Sequence, residues 1–378
     1  MPLSRRNFLR IVGSSAIILP ATACTTSTDS ARQPWQNAGQ YQDPMRRALS
    51  YALLAPNPHN RQPWVVNLHG GDSANLYVDL GHLLPETDPY SRQITIGLGC
   101  FLEQFRMAAQ AFGFQAEVLP FPDGYNDRNL DTRPVAHLRL TPGGQPAPSP
   151  EFSLITRRRT NRNLYQDRTP VHLALKAITR GLGNHVTSAF TNNTDRVALL
   201  QELAVTASNI EFDTPRTYRE SVDVMRIGAK EIKANPDGLA LEGPMLETLH
   251  TLGMLNRKSL ANPHSAMFRA GRDGYAKGIK SARAFVWLST PTNTRLDQIR
   301  AGAAYVRLNL KATGAGMAMH PLSQALQEYA EMKQSLKRIH QLLDVKDGAR
   351  VQMFARVGYA KSVAPAPRWP LEAKIRPV

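Results

Sequence analysis

Three short segments of this sequence hold residue types that could do chemistry together. The first is Arg157-Arg158-Arg159-Thr160-Asn161-Arg162, four arginines and a hydroxyl in six residues. Guanidinium groups donate in pairs to phosphate oxygens, and a helix end beside them adds a favourable dipole. The same run also reads as a solvated basic face. The second is Pro56-Asn57-Pro58-His59-Asn60-Arg61-Gln62-Pro63-Trp64. Its prolines stiffen a loop, while Asn57, Asn60 and Gln62 carry amide donors and acceptors suited to the edge of a heteroaromatic ring. Alternatively it is a capped turn whose Trp64 packs in the core. The third is Gly314-Ala315-Gly316 with Met319-His320-Pro321 after it. There a glycine backbone could approach a planar ligand, or simply end a helix.

Other catalytic patterns are missing. The sequence has no H-E-x-x-H, no C-x-x-C and no G-x-S-x-G, so no metal site and no hydrolase triad is expected. Gly-Ala-Gly at 314–316 lacks the third glycine and following acid of a dinucleotide fingerprint. No finger, RNP or helix-turn-helix pattern points to nucleic acid. Cys100 reads as a small buried hydrophobe.

The elements that would position these segments can be read from periodicity. Residues 44–54 form a helical pattern ending at Pro56, and after Trp64 the runs 65–68 and 76–80 flank Gly70-Gly71-Asp72-Ser73 as a hairpin. Two stretches, Gly99 to Gly113 and Gly302 to Gly316, share helical spacing and the same glycine separation, as a diverged repeat would. A Pro/Gly-rich break at 141–150 marks a joint. Residues 196–280 read as a helical insertion, a possible lid, and 350–359 as a strand.

The chain is 378 residues long, 42% hydrophobic and 20% charged, an ordinary globular composition. Its net charge of +16 is unusual and first raises nucleic acid, anionic membrane or phosphate as partners. Residues 1–23 supply part of it. Arg5-Arg6 followed by Phe8-Leu9, a short uncharged stretch and Ala21-Thr22-Ala23 have the parts of a twin-arginine export signal. Removing them takes three arginines and no acid, leaving +13. Cys24 stands where a lipoprotein is acylated; plain cleavage after Ala23 is the alternative. The expected location is the periplasm or cell envelope.

These segments together resemble the nitroreductase family of FMN-binding oxidoreductases, and more closely its exported, tandem-duplicated Acg-like branch. The resemblance implies an α+β nitroreductase-like fold with two diverged repeats in one chain forming a pseudo-dimer. The expected divisions are 1–23 signal peptide, 24–43 linker, 44–150 first repeat and 151–378 second repeat. In that family FMN lies between two subunits, one giving an arginine phosphate grip and the other a proline-rich loop. Here residues 56–64 match the loop, and 158–162, the segment near 316–322 and Arg368 match the grip side. The resemblance therefore implies FMN held by Pro56, Asn57, Asn60, Gln62, Arg158, Arg159, Thr160, Arg162, Gly316, Met319, His320, Pro321 and Arg368. It implies no catalytic side chain, because the flavin carries the chemistry. Possible partners are NAD(P)H and a small aromatic acceptor. Two readings stand: a flavin reductase of nitroaromatics, quinones or similar acceptors, or a protein that stores FMN beneath a lid. A scaffold without flavin is the dullest rival.

Overall fold

The structure is a computed structural model, and it describes residues 28–376. The signal-peptide and Cys24 assignments fall outside the described residues. Two antiparallel-rich sheets are covered and joined by helices. The first has the order β11-β1-β2-β4-β3, with β1 Trp64–Leu68, β2 Ser73–Val78, β3 Phe114–Pro120, β4 Ala136–Pro142 and β11 Ile375–Arg376. The second has the order β5-β8-β10-β9, with β5 Thr187–Thr191, β8 Ala284–Thr290, β9 Ala318–Pro321 and β10 Arg350–Gly358. The β1–β2 hairpin turns at Gly70 and Gly71, both at positive φ. The last strand returns across the whole chain to lie parallel to β1, pairing Val66 with Ile375.

Between the sheets run two twenty-residue helices, α2 (Arg92–Ala111) and α4 (Arg295–Gly314), preceded in the chain by α1 (Pro44–Ala52) and α3 (Thr194–Asp213). Helices α2 and α4 cross at glycines. A Cβ on Gly99 would lie 2.2 Å from the Ile299 carbonyl oxygen, and one on Gly302 would lie 2.1 Å from that of Ile96. Only glycine permits this approach. Cys100 is buried at the crossing, and its thiol donates to the Gly302 carbonyl at 3.1 Å. Burial pushes that thiol far up, so it stays protonated.

Helix α4 stops because Gly316 takes φ +69°, with Gly316 N–H bonded to Thr313 O and Met317 N–H to Ala312 O. That is the paired bonding of a Schellman ending. The insertion after residue 196 is mostly helical, as its pattern implies, with one addition. Met225–Ile227 (β6) and Leu239–Leu241 (β7) pair in parallel as a small sheet of their own.

Residues 28–43, expected as a linker, are instead packed. Asp29–Arg32 and Gln33–Gln36 form short helical turns, and Ala31 and Trp35 are buried. Polar composition hid this, since a single anchoring aromatic suffices to dock a short segment.

Candidate functional site

A cavity of about 210 Å³ lies where α2, the 56–64 loop, β9 and the insertion meet. Pro56, Asn57, Pro58 and His59 form one wall, Thr160 and Arg162 a second, and His320 and Pro321 a third. Segments separated by a hundred residues and more are thereby brought together. The insertion contributes Glu211, Phe212, Tyr218, Met225, Leu239 and Tyr275, and so covers the cavity.

The 56–64 loop is held in a costly conformation. His59, Asn60 and Gln62 all have positive φ, at 46°, 53° and 49°. Each such residue costs about 1–3 kcal/mol unless its surroundings fix it. Here they do. Asn57 Oδ1 accepts from Gln62 N–H at 2.8 Å, and Gln62 Oε1 accepts from Trp369 N–H at 2.9 Å. Gln62 Nε2 donates to Pro236 O at 2.8 Å, Asn60 Nδ2 to Pro367 O at 3.0 Å, and Lys374 Nζ to Gln62 O at 2.9 Å. Gly97 lets the loop lie against α2, since a Cβ there would meet Asn57 Cβ at 3.1 Å.

This network corrects the expected ligand edge. The Asn60 and Gln62 amides are spent on the insertion and the C-terminal tail, and neither residue lines the cavity. Asn57 does line it, with both side-chain ends bonded within the loop. Gly316 is also displaced from its expected role: it is an exposed helix terminator. Met319 is buried behind the wall, its carbonyl accepting from Asn161 N–H at 2.9 Å. Trp64 packs in the core against Phe101 at 5.1 Å between ring centroids.

The expected arginine grip divides in two. Arg162 faces the cavity, and its guanidinium has no hydrogen-bond or ion-pair partner among the described residues. Arg158, Arg159 and Arg368 lie elsewhere, gathered on Trp35 with guanidinium carbons 5.8, 4.7 and 5.3 Å from its ring. Arg368 donates to the carbonyls of Leu53, Leu54 and Ala55, closing the end of α1, and to Asn60 Oδ1. Arg158 is 2% exposed and reaches only the Leu54 carbonyl, leaving Nε and Nη1 buried without an acceptor. Burial first, then mutual repulsion, drives Arg368 well below its ordinary pKa; Arg159 falls to about 10. Arg158 nonetheless acts across the wall, since its charge is felt by Cys100 and Tyr305, which line the cavity.

Both cavity imidazoles are neutral. His59 is lowered to about 4 by burial and by the charges of Arg162 and Arg61, and its Nδ1 is buried without a partner. His320 is lowered well below 6.5 by burial, then by Arg162 and Arg356. Its Nδ1 accepts from Arg356 Nε at 3.1 Å, so the ring proton sits on Nε2. Arg356 was missed in the sequence. It is fully buried, stacks 4.1 Å over Tyr165 and also bonds Gly278, Ser281 and Asn163. Its only local signal is one cation in the apolar run 351–357. Among the described residues no cluster of His, Cys, Asp or Glu could hold a metal ion.

Comparison with known proteins adds relatives. No family model matches the chain. An uncharacterised protein of Mycobacterium tuberculosis is 24% identical over 352 residues, covering 88% of this chain and 92% of that protein. A second protein of that organism, provisionally named an NAD(P)H nitroreductase, is 28% identical over 322 residues, covering 83% and 82%. Among solved structures, the FMN-dependent nitroreductase NfnB of Mycobacterium smegmatis, in complex with NADPH, matches at TM-score 0.37 and 19% identity. It covers 59% of this chain and 96% of that one. A nitroreductase of Desulfitobacterium hafniense with bound FMN matches at TM-score 0.36 and 14% identity, covering 61% and 100%. The chain is thus similar, over most of its length, to proteins that carry the nitroreductase name.

Proposed function

We propose that the chain is an FMN-binding oxidoreductase of the nitroreductase type, and the observation that carries this reading is the composition of the cavity. Its walls come from the three segments the family resemblance singled out, and they leave a free arginine and a partnerless ring nitrogen facing inward or buried beside it. The residues present fit FMN. Arg162 and the unsatisfied nitrogens of Arg158 suit a dianionic phosphate, while the apolar and aromatic lid suits a planar ring. When bound, FMN supplies two-electron transfer between a reduced nicotinamide and an acceptor such as a nitroaromatic or quinone.

The chain's own residues do the rest. Thr160 and Arg162 bind FMN from the cavity wall, and Arg158, Arg159 and Arg368, gathered on Trp35, form the separate cationic cluster that takes its phosphate. His320 keeps its proton on Nε2 and Arg356 holds it there, so the wall presents a neutral donor. Phe212, Tyr218 and Tyr275 keep water off. Two features support one site built from a duplicated unit. Helices α2 and α4 have equal length, and each begins with a buried arginine, Arg92 or Arg295, seven residues before the crossing glycine. We take residues 1–23 as a twin-arginine signal delivering a folded, loaded protein to the cell envelope. Cys24 is a candidate anchor.

The insertion supports a second reading, storage of FMN without turnover, because its side chains cover so much of the cavity. The visible spectrum of the purified protein, followed by anaerobic NADH and NADPH titration, separates them. A yellow protein bleached by a nicotinamide is the expected result. One that stays yellow supports storage, and a protein that never takes up FMN overturns both.

A further inference from the structure

The trio of arginines around Trp35 lacks what a buried cationic cluster needs. Three guanidinium groups converge on one indole, and among the described residues no carboxylate bonds any of them. Arg158 keeps Nε and Nη1 buried and unsatisfied, and each stranded donor costs its desolvation uncompensated. The indole cannot repay it. Its single N–H is turned away to the Ala366 carbonyl at 2.8 Å, so only the π face meets the cations. An aromatic face attracts a buried cation but accepts no directed hydrogen bond in the plane of the fork. A dianionic oxyanion in the same place would satisfy the free nitrogens and neutralise the charge.

The segment that brings Trp35 there docks through buried Ala31, Arg32 and Trp35 and through hydrogen bonds to distant parts of the chain. Asp29–Gln36 is held by Arg368 N–H to Ala31 O at 2.8 Å, Arg32 Nε to Pro365 O at 2.7 Å, the indole bond, and contacts of Thr28 and Arg32 with Glu242. Glu242 belongs to the insertion that covers the main cavity. A second cleft, about 500 Å³, runs beneath the segment and is lined by Arg32, Trp35, Thr156, Arg159, Glu242 and Pro365. It brings solvent to Arg159, the outermost of the three arginines.

We propose that residues 29–36 are a removable plug: the Trp35 indole stands where a phosphate-class oxyanion binds Arg158, Arg159 and Arg368, and the segment lifts when that anion arrives. This deepens the FMN reading and rests on it for the identity of the natural ligand, but not for the displacement. Because Arg32 is paired with Glu242, lifting the plug also frees one tie of the lid, so that loading and lid opening are coupled.

The test follows hydrogen exchange of residues 29–36 in the full protein, with inorganic phosphate, FMN or chloride at equal ionic strength, beside Trp35→Ala. Phosphate and FMN should raise exchange in this segment and chloride should not. Trp35→Ala should associate with FMN at least several-fold faster without weakened affinity. Unchanged exchange while FMN binds overturns the plug and leaves the FMN reading standing. Raised exchange with phosphate in a protein that ignores FMN keeps the plug and overturns that reading. Weaker FMN binding by Trp35→Ala, with the fold intact by circular dichroism, would make the indole a wall of the site and overturn displacement.

Discussion

At the scale of single residues, the site is governed by charges without counter-ions. Arg162 faces the cavity unpaired, and its field, with burial, keeps His59 and His320 neutral. Replacing it should therefore remove a ligand and lessen, without abolishing, the lowering of two imidazoles that burial chiefly keeps neutral. Arg162→Ala is expected to weaken FMN binding about 10- to 100-fold, the worth of one charge-assisted bond pair, measured by flavin fluorescence titration. Arg158→Ala combined with Arg162→Ala should release the flavin on gel filtration; retention would place the phosphate elsewhere. Gly302 is a residue of another kind, valuable for what it lacks. Gly302→Ala would drive a methyl group into the Ile96 carbonyl and should destabilise by about 3 kcal/mol or more, visible as a lowered Tm.

Among elements, the decisive join is between the insertion and the first half of the chain. Asp237, between the helix Gly228–Ala234 and β7, is almost fully buried, paired with Arg226 at 2.6 Å and Arg61 at 3.5 Å. His82 bridges it at 3.2 Å and Asp79 at 2.8 Å, and Lys374 adds its charge nearby. The hydrogen bonds to Asp237 and Asp79 raise the pKa of His82 above 6.5 despite burial. A raised folded-state pKa stabilises the join fully below 6.5 and loses that contribution as pH climbs through the folded value. Asp237 runs the other way. Burial works to raise it, yet His82, Arg226 and Arg61 hold it below 3.8, so its share fades only in acid. The insertion should thus open more readily at alkaline pH than near pH 6. Amide exchange in residues 225–241 checks this, and His82→Gln should abolish the dependence.

On the scale of the whole molecule, the two halves contribute unlike parts to a single cavity. Loop 56–59 comes from one, and Thr160, Arg162 and His320 from the other. One FMN per chain is expected, in a monomer, by absorbance and sedimentation together. Two flavins per chain would mean that each half retains a site. The basic surplus beyond the arginines proposed for the phosphate has no bonded role in the site, consistent with an exposed surface.

The sequence determined the inventory and its local shapes. Proline spacing stiffened 56–64, glycines at matched positions marked α2 and α4, and the run 157–162 gathered its arginines beside a helix end. All of these are near-neighbour properties, so they are legible along the chain. Tertiary structure alone decided which side chains remain available. Asn60 and Gln62 were drawn to partners at Pro236, Pro367 and Trp369, more than 170 residues away, and Arg158, Arg159 and Arg368 were turned from Arg162 toward Trp35. A buried polar group bonds whatever the fold delivers to it, and no local pattern records what that will be.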